Sequence, residues 1–97
     1  GINGNINSMP DEFSLGQNYP NPFNPSTKIS YSIKTNGLVK LNVYNASGEL
    51  VKTLVNNNQD RGNYEINFDA SGYSSGIYFY TLETESFTAT KKIVLVK

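Results

Sequence analysis

The residue types that most often carry catalysis are scarce in this 97-residue chain. It contains no histidine and no cysteine, which removes the commonest general base, the Ser–His–Asp arrangement and the thiolate ligands of zinc. Glu83 and Glu85 lie two residues apart, and on a strand they would share one face. A glycosidase needs two carboxyls about 5–10 Å apart across a cleft, for which so small a domain has little room. We therefore interpret these acids as solvated charges and predict no enzymatic activity.

A calcium site is the next candidate, because residues 56–60 read NNNQD. Calcium takes roughly six to eight oxygen ligands, yet this stretch offers a single acid and no EF-hand spacing. We predict a polar loop here, and we expect neither a metal site nor a cofactor.

The chain has seven tyrosines and five phenylalanines, more than its short strands need for a core. Alternation along the sequence directs Tyr44, Tyr73 and Phe79 away from the predicted core. Exposed aromatic rings can stack on sugar rings, so Tyr44 and Tyr73 are candidates for glycan contact. A carbohydrate-binding or structural accessory module of a larger secreted enzyme therefore stays open as an alternative function.

Charge and hydropathy exclude several kinds of partner. Eight basic residues balance eight acids, so no net field would attract nucleic acid. No apolar run approaches the roughly 18 residues that span a bilayer. We expect a monomer with no nucleic acid partner and no membrane span.

Alternating apolar and polar residues indicate strands over most of the chain. Residues 28–33, KISYSI, alternate cleanly with Ile29, Tyr31 and Ile33 inward, and the Asn36-Gly37 pair that follows predicts a tight hairpin. Residues 38–44 alternate again, with Val39, Leu41 and Val43 on the inward face. The chain then turns through NASG into ELVKTLV, residues 49–55. The apolar spacing of ELVKTLV also fits one face of a helix, but seven residues is short for a helix, so we assign a strand.

The second half of the chain continues the same pattern. Residues 64–68 direct Tyr64, Ile66 and Phe68 inward, and residues 76–83 are apolar on both faces, as a central strand would be. Turn signals recur without a convincing helix between them. The sequence therefore predicts an all-β fold for residues 13–97, an antiparallel β-sandwich of about seven strands of the immunoglobulin-like or fibronectin-III-like kind.

Three further segments lie outside this strand pattern. Residues 1–12, rich in Gly and Asn, are predicted to be a linker from an upstream domain. Residues 18–25, NYPNPFNP, interleave three prolines with three asparagines, which no helix or central strand accommodates. Residues 91–97, KKIVLVK, are a short apolar run between lysines. Prolines can block pairing at a sheet edge, and lysines can protect a last strand from aggregation, so both segments also have purely structural explanations.

Several stretches resemble one family in the expected order: LGQNYPNPFNPSTKISYSI, VKLNVYNASGELVKTLV, GNYEINFD, SGIYFYTL and KKIVLVK. They are similar to the C-terminal sorting domain of type A cargo of the type IX secretion system. The resemblance covers residues 13–97, and NYPNPFNPST and SGIYFY are its most specific parts. Phe68 stands where many members carry tryptophan, which keeps a large inward aromatic side chain.

The resemblance implies a sandwich at the C-terminus of a larger protein of Bacteroidetes or related bacteria. That protein would pass through the periplasm and across the outer membrane, to be secreted or held at the cell surface. The implied partners are the outer-membrane secretion machinery, a sortase-like protease that cuts within residues 1–12, and the upstream cargo domain. Preset proline angles would lower the entropy lost on docking. By match to the family's motifs, sorting recognition is expected at Asn18, Tyr19, Pro20, Asn21, Pro22, Phe23, Asn24, Pro25, Gly76, Tyr78, Lys91, Lys92, Ile93, Val94, Leu95, Val96 and Lys97.

Overall fold

The computed structural model describes residues 9–97, and this part of the chain forms seven strands and no helix. It accordingly contains no helix long and apolar enough to cross a membrane. The strands are β1 (Ser14–Leu15), β2 (Ser26–Ile33), β3 (Gly37–Asn45), β4 (Leu50–Gln59), β5 (Gly62–Asp69), β6 (Gly76–Glu83) and β7 (Thr88–Leu95).

The strands form two antiparallel sheets. One has three strands in the order β1-β2-β5, and the other has four in the order β4-β3-β6-β7. The predicted all-β sandwich of about seven strands is therefore confirmed. β6 is a central strand of its sheet, as its sequence indicated, and β7 and β4 are the two edges.

The core lies between the two inner faces, where the alternating residues of each strand converge. β2 contributes Ile29, Tyr31 and Ile33, all buried as predicted. On the edge strand β5, Phe68 is buried, whereas Tyr64 and Ile66 are only partly covered. The other buried apolar side chains are Leu15, Phe23, Val39, Leu41, Val43, Val55, Ala70, Tyr78, Tyr80, Leu82, Ile93 and Leu95.

The ambiguous segment ELVKTLV is a strand, and two β-bulges explain its helix-like spacing. Opposite Leu41 and Asn42 lie Val55 and Thr53, so Leu54 is an extra residue on β4. A second irregularity leaves Val51 extra between Lys52 and Leu50. Because each bulge shifts the alternation by one residue, both extra side chains pack against the core.

Two local predictions were wrong. The Asn36-Gly37 turn does not close a hairpin, because β2 and β3 belong to different sheets and the turn carries the chain from one to the other. Residues 56–59 are not a loop, because they form the last part of β4 and pair with Gly37–Lys40 of β3. A strand partner satisfies their backbone whatever their side chains are, so polar composition misled the prediction.

Candidate recognition surface

The segment Asn18–Pro25, which we call the lead-in, is held to the sandwich by a buried asparagine. Asn18 is 2% exposed, and its Nδ2 donates hydrogen bonds to Thr27 Oγ1 (3.0 Å) and to the Pro20 carbonyl (3.1 Å). Thr27 Oγ1 in turn donates to the same carbonyl (2.8 Å), and Gln17 Nε2 donates to Asn18 Oδ1 (2.7 Å). Every polar atom of the Asn18 side chain therefore has a partner, as burial demands.

The next residue, Tyr19, presents the opposite arrangement. Its backbone pairs with Lys28 of β2 through two hydrogen bonds of 2.9 and 3.0 Å. Its side chain is 81% exposed. A fixed backbone beneath an exposed aromatic ring is a suitable geometry for partner contact, since the backbone loses little further entropy on docking.

Further along, Phe23 joins the lead-in to the free edge of β7. Its N–H donates to the Val94 carbonyl (3.0 Å), and its carbonyl accepts from the Val96 N–H (2.9 Å), which makes a parallel bridge. Asn21 Oδ1 accepts from the Val94 N–H (3.1 Å). The Phe23 ring is 2% exposed and lies 5.9 Å from the ring of Phe68. The side chain of Phe23 thus fills part of the core, while the backbone of Phe23 extends the four-stranded sheet.

The prolines lie at the surface. Pro20, Pro22 and Pro25 are all exposed, as are Asn21 and Asn24. The peptide bond that precedes each of the three prolines is cis. The lead-in is thus anchored at Asn18 and Phe23 and open to solvent in between.

The terminal segment, residues 91–97, divides by face. Ile93 and Leu95 are buried, and Lys91 shares their inner face but is partly exposed at the sheet edge. Lys92, Val96 and Lys97 are exposed, and Lys97 Nζ donates to the Ser71 carbonyl (3.0 Å). The ion pairs of the described residues, Lys28–Glu65 and Arg61–Asp11, involve no β7 lysine.

The two candidates on β6 have structural roles of their own. Gly76 has a φ of +149°, a conformation that residues with a Cβ rarely adopt. Tyr78 is buried, and its hydroxyl donates to the Ser74 carbonyl (2.7 Å). Both residues lie on the side of β6 that faces the core, so they support the sheet rather than form part of its exposed surface.

Sequence reasoning did not identify two residues that hold the lead-in in place. Gln17 Nε2 donates to the Lys92 carbonyl (2.9 Å), which links the chain just before the lead-in to β7. The Tyr80 hydroxyl donates to the Gly16 carbonyl (2.6 Å), and burial raises the pKa of this tyrosine to about 12. Neither contact has a local sequence signal, because the partners lie more than sixty residues apart.

The glycan candidates do not form a common platform. The prediction that Tyr73 points away from the core was wrong, because its ring packs 5.9 Å from Phe68 and 6.2 Å from Tyr78. Tyr44 lies on the outer face of the four-stranded sheet, opposite Phe79. The two tyrosines therefore occupy different sides of the sheet.

The acids are similarly dispersed. Glu83 ends β6, and Glu85 lies in the turn beyond it, so the two do not share a strand face. Over residues 9–97, no cluster of three Asp or Glu could hold a metal ion.

Residues 17–97 match the model of a protein family, the secretion system C-terminal sorting domain. The matched range begins at Gln17, next to the lead-in, and includes the whole terminal segment. No curated protein and no solved structure matches the chain at a significant level.

Proposed function

The chain belongs to the family of secretion system C-terminal sorting domains, and on that premise we propose that its lead-in and terminal segment act as one recognition surface. A domain of this family is the sorting signal of type IX secretion, and it directs the protein that carries it to the cell surface or the medium. The partner that we assign to the surface is the outer-membrane machinery of that system.

The hydrogen bonds between the two segments are the observation that supports this proposal. Phe23, Asn21 and Gln17 all bond to the backbone of residues 92–96, at the end of β7 and just beyond it. Two segments that lie some seventy residues apart in the chain thereby form one continuous strip at the edge of the sandwich. A signal shared by unrelated cargo must present the same surface each time, and this pairing fixes both parts relative to each other.

The residues of the strip divide into those that face a partner and those that hold the strip together. Tyr19, Pro22, Asn24, Lys92 and Lys97 are exposed and could make contacts. The buried members Asn18, Phe23, Ile93 and Leu95 support them from the core side. The role that we assign to the domain is recognition without catalysis.

We place the cut by a sortase-like protease within residues 1–12. Residues 1–8 lie outside the described part of the chain, and Met9, Asp11 and Glu12 are exposed, as a cleavage site requires. The upstream cargo would then be released or joined to an anionic lipopolysaccharide. The mass of the mature secreted parent protein tests this step, because it shows whether residues 13–97 are still attached.

The recognition surface is tested by secretion of a fusion. A reporter that carries an export signal is joined to residues 1–97 and produced in a bacterium with an active type IX system. We expect secretion of the wild-type fusion, and retention in the periplasm for Tyr19→Ala and for Lys97→Glu. Lys34→Glu, a change at an exposed lysine in the connection between β2 and β3, is the control and should be secreted normally.

Stability must be measured beside secretion. Both test side chains are exposed, so their loss should change the free energy of unfolding by less than about 0.5 kcal/mol. Deletion of residues 93–97 would be a poor test, since loss of buried Ile93 and Leu95 costs about 3–6 kcal/mol. Normal secretion of both surface variants would overturn the proposed surface, and failure of the wild-type fusion would overturn the sorting function.

A further inference from the structure

The outer face of the four-stranded sheet carries apolar side chains that the core does not use. Ile77 and Phe79 point outward from β6, and across the strands they lie opposite Val94 and Lys92 of β7. On its other side, Phe79 lies opposite Tyr44 of β3. The core is supplied instead by the intervening residues of the same two strands, such as Tyr78 and Ile93.

The same row continues to the far edge of the sheet. Tyr44 lies opposite Leu50, the first residue of β4. We call Tyr44, Leu50, Ile77, Phe79 and Val94 the apolar patch. Leu50 is 55% exposed and Ile77 is 44% exposed, while the other three are partly exposed.

Apart from the exposed Leu38 near the start of β3, the rest of this outer face is polar, so the patch is confined to one end. The next row along the strands consists of Thr53, Asn42, Thr81 and Thr90. The row after that contains Lys40 and Glu83, which lie opposite each other. The solvent-facing side of an antiparallel sheet is usually polar. A contiguous exposed apolar surface on such a face typically marks an interaction site.

The upstream chain joins the domain at the opposite end of the sheet. β4 runs from Leu50 in the patch to Gln59, a distance of about 30 Å at the usual rise per residue. Just beyond Gln59, Arg61 donates hydrogen bonds to the Pro10 carbonyl (2.9 Å) and to Asp11 (3.2 Å). The first described residues thus lie beside the end of β4 that is remote from the patch.

The patch is continuous with the recognition surface. Val94 belongs to both, since its side chain lies in the patch and its backbone bonds to Asn21 and Phe23. On this side the patch is bordered by Lys92, which is exposed and forms no ion pair in the described part of the chain. A partner that covers the patch would therefore meet a positive charge at its β7 border.

We propose that the apolar patch is a second part of the docking site, and that it binds an apolar surface with an acidic rim on a protein of the secretion machinery. This inference rests on the proposed sorting function and extends it from the edge of β7 to the outer face of the sheet. It assigns recognition to Ile77 and Phe79.

The test uses the fusion described above with Ile77→Thr/Phe79→Thr. Threonine keeps a high strand propensity, so the fold should persist. Leu38→Thr is a matched control, because Leu38 is an exposed apolar residue of β3 away from the patch. We expect the secreted fraction to fall about tenfold or more for the double variant, the size of effect typical of interface anchors, and to be unchanged for the control. Lys92→Glu should also lower secretion, because it would place like charges at the border.

Each outcome is informative about a different claim. Normal secretion of Ile77→Thr/Phe79→Thr, with retention of Tyr19→Ala and Lys97→Glu, would overturn the patch and leave the recognition surface standing. A wild-type domain that sediments as a dimer, and as a monomer after the double substitution, would assign the patch to a second copy of this chain and would also overturn the inference. An equal fall in the secreted fraction with Leu38→Thr would overturn the inference, because the effect would not be specific to the patch. All variants should remain folded at the temperature of the secretion assay. The melting midpoint is expected to be unchanged for Leu38→Thr and Lys92→Glu, and to fall modestly for the double variant, because Phe79 is partly buried opposite Tyr44.

Discussion

At the scale of single residues, Tyr80 offers a direct measure of how closely the chain before the lead-in is held to the core. Burial disfavours the charged phenolate and raises the pKa of Tyr80 to about 12. In an alkaline titration followed by phenolate absorbance, we expect Tyr80 to ionise at about pH 12, well above the ordinary range of tyrosine. Comparison with Tyr80→Phe identifies its contribution to the curve.

The same shift predicts how stability depends on pH. The folded state holds this proton more tightly than the unfolded chain, in which the pKa of tyrosine is about 10. The contribution of Tyr80 to stability is therefore complete below about pH 10 and is lost as the pH rises through 12. If the free energy of unfolding of wild type and Tyr80→Phe ran parallel over this range, the assignment would be wrong.

Residue type alone predicted little about which lead-in residues are buried. The asparagines and prolines indicated a stiff segment outside any helix or central strand, and the three prolines are exposed. Asn18, however, is buried because Thr27 and the Pro20 carbonyl happen to meet its amide. Such a partnership depends on where the chain returns, and no local pattern in NYPNPFNP distinguishes Asn18 from Asn21 or Asn24.

At the scale of elements, alternation predicted strands well but not their irregularities. β2 and β3 have unbroken alternation, and the predicted inward residues of both are buried. In β4 the alternation is broken twice, and only the pairing with β3 shows that bulges at Leu54 and Val51 are responsible. The helical alternative for this segment could not be excluded from seven residues by periodicity alone.

The pairing of the lead-in with β7 predicts a strong effect of Phe23→Ala. This change removes a buried ring that packs beside Phe68 and leaves a cavity beneath the bridge to Val94 and Val96. We expect the free energy of unfolding to fall by about 3–5 kcal/mol, as for other buried phenylalanines. The measurement is urea denaturation of the 97-residue chain.

Tyr19→Ala is the matched control for this prediction. It removes another aromatic ring from the same segment, but one that is exposed, so its cost should stay below about 0.5 kcal/mol. Similar midpoints for the two variants would mean that the lead-in is not integrated into the core.

At the scale of the whole molecule, local signals could not determine which strands share a sheet. The Asn36-Gly37 pair predicted a hairpin, yet the chain crosses there from the three-stranded to the four-stranded sheet. The crossover at Arg61 returns it, and the Arg61 N–H donates to Asn36 Oδ1 (2.7 Å), which ties the two connections together. Turn propensity describes four residues, whereas sheet membership depends on the whole set of apolar faces that must be buried.

The arrangement of residues 9–12 predicts that the fold survives loss of residues 1–12, the segment that the sequence predicts to be a linker. The contacts of residues 9–12 with Arg61 are exposed, and a surface ion pair contributes about 0–1 kcal/mol. The free energy of unfolding of a chain that begins at Phe13, measured by urea denaturation, should therefore lie within about 1 kcal/mol of that of the 97-residue chain. For a chain that begins at Gly16, the free energy of unfolding should fall by about 2–5 kcal/mol. This chain lacks the Phe13 ring, which stacks 5.5 Å from Phe87, and the buried Leu15 of β1. Equal destabilisation by the two deletions would place the boundary of the folded unit upstream of Phe13 and would make a cut within residues 1–12 damaging to the sorting domain.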